Sequence, residues 1–306
     1  MPGDAGVFRV DVTKAGLRFD RAALARALAV LPQDAPVVVM IHGYRFAPGG
    51  ARNCPHGHIF SLQPPSDDWT AISWPRHLGL GGARGLAVGF GWPGRGTLIG
   101  ASLRARAAGR ALAEFATLVQ QLDPGRVVDV IGHSLGARVA LAALPHASPG
   151  DFRQMILLAA AEVRRPAMRA MTSDAGRKVQ VVNVTTREND LFDLLYEWLA
   201  AAGLDTAIGQ GLRVTPDNWL DLQLDQPATL AALARLGHDL PAALGRISHW
   251  SPYLRPGALG LYRALLDRSL TVASLRNALP NRPDPRWSRL WAGVSGVRRG
   301  QAAQPS

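Results

Sequence analysis

The stretch Val127-Val128-Asp129-Val130-Ile131-Gly132-His133-Ser134-Leu135-Gly136 decides how the chain folds. Its first half is a β-branched run that follows the turn-forming Asp123-Pro124-Gly125, so it reads as a buried strand. Its second half is a Gly-x-Ser-x-Gly motif, and Leu135 to Leu144 behind it reads as a helix. A serine between such a strand and helix sits on a sharp, strained turn. Side chains two residues before and after it would crowd the neighbouring backbone, and glycine at 132 and 136 removes that crowding. The helix start behind Ser134 adds partial positive charge where an oxyanion would develop. An ordinary tight strand-to-helix turn is the plain alternative.

Working outward, further apolar runs alternate with helical patterns. Val37 to Ile41 is bounded by Pro36 and Gly43; Leu86 to Phe90 ends at Gly91-Trp92-Pro93-Gly94; Met155 to Leu158 and Val179 to Val184 complete the set. Between them, Leu98 to Leu122 carries Ala108, Leu112, Phe115 and Val119 on one face at helical spacing. Further helices are expected around Ala160 to Met171 and over Asp190 to Ala202. Strands buried on both sides and separated by helices predict an α/β fold, a mostly parallel central sheet with helices on both faces. Trp219 to Leu224 is a further candidate strand and Ala228 to Leu236 a further candidate helix. The expected organisation is a single domain over 1–280, with insertions at about 44–82 and 203–247, and a C-terminal tail at 281–306.

Composition narrows the function classes. Apolar residues at 47% and charged residues at 19% exclude a disordered or collagen-like chain. The net charge is +11, and of the basic residues only Lys14 and Lys178 are lysine. The arginines are scattered along the sequence, as at Arg104, Arg106 and Arg110, at Arg164 and Arg165, and at Arg298 and Arg299. They form no continuous basic stripe with interleaved aromatics, so no nucleic-acid partner is expected. No apolar run is long enough to predict a membrane span, and Met1 to Val10 shows no secretory pattern. Cys54, the single cysteine, closes no intrachain disulfide, which fits a reducing, cytoplasmic setting.

Gly132-His133-Ser134-Leu135-Gly136 resembles the nucleophile elbow of the α/β-hydrolase superfamily, in the form common among its lipases and esterases. Phe90-Gly91-Trp92-Pro93 with Gly96 is similar to a bacterial branch of uncharacterised α/β hydrolases, and the resemblance runs roughly from Val37 to Tyr262. It implies the chain order serine, acid, histidine. Ser134 is then the nucleophile. Asp190, past the Val179 to Val184 strand, is the expected acid, with Asp193 its nearest rival, Glu188 a further candidate, and helix capping the plain alternative. His249, in Ser248-His249-Trp250-Ser251-Pro252-Tyr253, is the expected base ahead of His238; a strand is expected shortly before it, and 242–247 is a faint match. The oxyanion hole falls to the N–H groups of Leu135 and of Tyr44, since His42-Gly43-Tyr44 resembles the superfamily's His-Gly motif, and His42 holds that loop.

These residues predict a serine hydrolase that cleaves a small-molecule acyl ester, carboxylesterase- or lipase-like, through an acyl-serine and without a cofactor. A catalytically silent binding or scaffold protein on the same fold is the alternative. Cys54, His56 and His58 crowd together, yet no Cys-x-x-Cys or His-Glu-x-x-His accompanies them, so no metal site is expected. Trp69, Trp74, Trp219 and Trp250 are read either as pocket lining or as core. Asp129, inside an apolar strand, is read as a hydrogen-bonded structural residue.

Overall fold

The computed structural model describes residues 6–291 except 51, 244 and 281, so the last part of the expected tail, 292–306, lies outside the described residues. In chain order the main elements are β1 (Val7–Thr13), β2 (Gly16–Arg18), α1 (Arg21–Ala29), β3 (Val37–Ile41), β4 (Leu86–Gly91) and α2 (Leu98–Leu122). There follow β5 (Val128–His133), α3 (Leu135–Ala143), β6 (Phe152–Leu158), α4 (Arg164–Met171), β7 (Gln180–Thr185) and α5 (Asp190–Ala201). The chain closes with β8 (Trp219–Gln223), α6 (Pro227–Arg235), α7 (Ala258–Leu266) and α8 (Val272–Ala278), besides short helical turns.

The strands form one eight-stranded sheet in the order β2-β1-β4-β3-β5-β6-β7-β8. The β1–β2 hairpin is antiparallel, and every other pairing is parallel. All five residues of β3 are buried because both faces of the sheet are covered. Val37, Val39 and Ile41 join Val128, Val130 and the helices α2 and α3 in one core, while Val38 and Met40 join Ile131, Trp74 and α7 in the other. Helix α2 lies so close to α3 that a Cβ on Gly109 would stand 2.6 Å from the Ala142 side chain.

After β3 the chain adds β4 on one side, next to β1, and then crosses to add β5 through β8 on the other. The crevice between the carboxyl ends of β3 and β5 is therefore the switch point of the sheet, where open α/β sheets place their ligands. The loop after β3 carries His42-Gly43-Tyr44, and the turn after β5 carries Ser134.

Three features differ from the pattern read in the sequence. Strands β1 and β2 form a sheet edge that hydrophobic runs do not announce, since Arg9 and Asp11 interrupt β1. The helix expected from Ala160 starts at Arg164. No strand forms at 242–247 among the described residues; the strand preceding His249 is β8, which lies within the 203–247 stretch and pairs in parallel with β7.

The elbow glycines have the steric role read from the sequence. A Cβ on Gly132 would stand 2.7 Å from the Gly136 backbone, and one on Gly136 would stand 2.4 Å from the Ile41 carbonyl oxygen. Ile41 is fixed by pairing with Gly132, so this carbonyl has no room to retreat. Gly136→Ala is accordingly expected to destabilise the fold by about 3 kcal/mol through overpacking, read as a lower urea midpoint with unchanged slope. A midpoint equal to that of the wild type would contradict the close approach.

Candidate active site

Ser134 has φ 57° and ψ −121°, a left-handed conformation that costs a non-glycine residue about 1–3 kcal/mol and is held by its surroundings. Its N–H donates to the Leu158 carbonyl at 2.9 Å, and its own carbonyl accepts from Ala137 and Ala161, each at 3.1 Å. Helix α3 starts at the next residue. A Cβ on Gly43 would stand 3.0 Å from the Ser134 Cβ, so the loop after β3 lies directly against the serine. The N–H groups of Tyr44 and Leu135 find no partner among the described residues.

His42 is built into the wall of this crevice. Its Nδ1–H donates to the Gly43 carbonyl at 2.9 Å, and its Nε2 accepts the Trp92 N–H at 3.0 Å. The Trp92 Nε1–H returns a bond to the His42 carbonyl at 2.9 Å, and the two rings stack. Burial lowers the His42 pKa to about 3, so the ring stays neutral. The Gly91-Trp92-Pro93 segment thus braces the loop that carries Tyr44.

His249 is brought to the same turn. His133, the residue before the serine, donates Nε2–H to the His249 carbonyl at 2.9 Å, and the two rings are 4.6 Å apart between centroids. The His249 Nδ1–H donates to Asn189 Oδ1 at 2.6 Å. Asn189 in turn donates Nδ2–H to Asp193 Oδ1 at 2.8 Å. With its Nδ2–H group on Asp193 Oδ1, the Asn189 amide turns its Oδ1 to the imidazole. With Nδ1 protonated, Nε2 is left bare as the basic nitrogen. Phe192, in the first turn of α5, stacks on the His249 ring at 4.8 Å between centroids. Burial, reinforced by His133, holds the His249 pKa well below its ordinary value.

The carboxylates named in the sequence lie elsewhere. Asp190 does not meet His249. Its oxygens take the Gln210 Nε2–H at 3.0 Å and the Trp287 N–H at 2.7 Å, and Arg187 stands 3.3 Å away in a buried ion pair. The residue that meets the imidazole is its predecessor, because the 3₁₀ turn Arg187–Asn189 runs straight into α5 and turns successive side chains to different sides. Asp193, the rival acid, stands one step behind Asn189; burial pushes its pKa up to about 7. Glu188 pairs with Arg255 at 2.7 Å. The sequence reading missed both Asn189 and His133. The signal for Asn189 was the i, i+3 spacing of Arg187 and Asp190, which commits that aspartate to an ion pair.

The remaining polar candidates hold the structure. His56 bonds Asp11 at 2.7 Å and His58 bonds Asp68 at 2.9 Å, which ties the two rings to different carboxylates. Asp129 receives Arg153 through both oxygens, and Arg153 also donates to the Leu266 carbonyl, linking β5, β6 and α7. Trp74 and Trp219 are fully buried core residues, while Trp69 packs edge-on against Trp250 beside the histidine loop.

Comparison with known proteins agrees with this architecture. A family model described as an alpha/beta hydrolase of unknown function (DUF900) matches residues 20–191, more than half of the chain, and the protein belongs to that family. No curated protein matches the chain.

Proposed function

We propose that this α/β hydrolase is a serine hydrolase that cleaves carboxylic esters through an acyl-Ser134 intermediate. One observation carries the reading: His249, tethered to the nucleophile turn through His133, has its Nδ1–H fixed on Asn189 and its Nε2 left free to accept a proton. A serine hydroxyl is a weak nucleophile near neutral pH, and a neutral imidazole activates it. In this mechanism Ser134 Oγ attacks the ester carbonyl as its proton passes to His249 Nε2. The Tyr44 and Leu135 N–H groups hold the oxyanion. The imidazolium returns its proton to the departing alkoxide, and a water activated by the same imidazole releases the acid and restores the serine. Asn189 keeps the ring in the required tautomer and orientation, and Asp193 keeps Asn189 in place.

The direct test is turnover of short p-nitrophenyl esters by the wild type and by His249→Ala. Undiminished turnover in the variant would remove His249 as the base. The pH profile adds a second check. A histidine base works only when neutral, and burial with the His133 neighbour lowers its pKa, so activity persists as pH falls through 6.5. The acid limb of kcat/KM is expected below that pH; a limb at or above it would contradict the buried, carboxylate-free environment of the ring.

A further inference from the structure

Helix α5 has a second face that the proposed chemistry does not use. Its N-cap Asn189 and first-turn Phe192 face His249, while its outer side leaves Leu195, Trp198 and Leu199 in solvent, with Trp198 64% exposed. Ile99 and Leu103 of α2 are likewise exposed, and Ile99, Leu103 and Leu199 line one shallow depression together with Arg106. Arg106 also lines a second depression, which it shares with Arg110 and Arg169. Arg169 lines a third, shared with Arg165, Arg213 and Gly203, and Gly203 lies under the Trp198 ring. Residues scattered along the sequence thus form one continuous surface, apolar beside α5 and basic beside α4.

The charge on this surface is one-sided. Arg106, Arg110, Arg165, Arg169 and Arg213 are exposed, and none is in an ion pair among the described residues. The two carboxylates that line the same depressions are already engaged: Glu162 holds Arg138, and Asp205 accepts the backbone N–H groups of Arg165 and Thr206. Leucines and a tryptophan flanked by unpaired arginines make up the chemistry that binds an anionic lipid surface, where the aromatic and aliphatic groups enter the interface and the guanidiniums meet headgroup phosphates.

We propose that this face docks on an anionic lipid bilayer and that the ester brought to Ser134 is a lipophilic acyl ester drawn from it; the substrate half rests on the serine-hydrolase reading. The stacking of Phe192 on His249 makes the docking helix and the catalytic imidazole neighbours.

The test is co-sedimentation of the full chain with phosphatidylcholine vesicles made with and without phosphatidylglycerol. Wild type is expected to partition onto the phosphatidylglycerol vesicles and to be released by salt. Replacing three arginines together (Arg165→Gln, Arg169→Gln, Arg213→Gln) is expected to weaken partitioning by about 100-fold. Trp198→Ser with Leu199→Ser is expected to weaken it by about tenfold or more. Ser134→Ala is expected to bind vesicles like the wild type, so loss of chemistry and loss of docking are read separately. Failure to sediment with the anionic vesicles at low salt would overturn the proposal. So would partitioning indifferent to both sets of substitutions, a dimer in solution that Trp198→Ser dissociates, or duplex DNA displacing the protein from vesicles through the same arginines.

Discussion

Ser134→Ala is expected to lower kcat/KM on a p-nitrophenyl ester by about 10⁴- to 10⁶-fold while leaving the unfolding midpoint near that of the wild type. The two expectations come from different parts of the same turn. In the proposed mechanism the hydroxyl is the nucleophile, giving its proton to His249, and alanine supplies no atom to replace it. The backbone conformation, in contrast, is imposed by the bonds to Leu158, Ala137 and Ala161, all made through main-chain atoms that alanine keeps. A variant that retains more than about a hundredth of wild-type turnover would place the nucleophile elsewhere, since an oxyanion hole and binding alone leave far less.

Asn189→Leu is expected to lower kcat by about 10²- to 10³-fold with little change in KM. Loss of a triad's orienting carboxylate costs about 10⁴-fold, and part of that is the charge which steadies the imidazolium. A neutral amide supplies orientation and tautomer choice without that charge, so its removal costs less. The comparison that matters is Asp190→Asn. Asp190 is spent on Arg187, Gln210 and the Trp287 N–H, so its replacement is expected to lower stability and to leave kcat within about threefold of the wild type. Steady-state kinetics on the two variants side by side decides the matter; a larger loss of kcat in Asp190→Asn than in Asn189→Leu would return the orienting role to the aspartate.

The contrast between these neighbours shows where sequence reasoning stops. The elbow was legible because its constraints are local: Gly132 and Gly136 are demanded by backbone contacts that belong to a strand, a turn and a helix within a few residues. Strand β3 was legible because burial on both faces leaves no polar position in Val37–Ile41. Strand β1 was not, since it lies next to the sheet edge, where Arg9 is exposed and Asp11 pairs with Arg18 and His56. The loop that carries His249 was legible as a short polar and aromatic segment, but which side chain faces its imidazole depends on the phase at which a short 3₁₀ turn enters α5. Glu188, Asn189, Asp190 and Asp193 all arrive at the sheet's carboxyl edge, and a rotation of one residue selects among them. Chain-order knowledge favours a carboxylate there and is blind to the ion pair with Arg187 that removes Asp190 from the contest.

The basic surface follows the same logic in reverse. Arg106, the pair Arg165 and Arg169, and Arg213 come from three separate parts of the sequence and make no stripe, so composition alone counsels against reading them as a site. The fold packs α3 between α2 and α4 and draws α5 alongside α2, which brings these arginines to one side of the molecule beside the exposed face of α5. Among the described residues no helix is long and apolar enough to cross a membrane.

The most direct measurement of the central claim is mass-spectrometric mapping of the adduct left by a fluorophosphonate on the full chain. The account predicts a single phosphonylated residue, Ser134, in the wild type, and loss of the adduct in His249→Ala because the hydroxyl is no longer activated. Labelling at another serine, or labelling of Ser134 at an undiminished rate without His249, would contradict it.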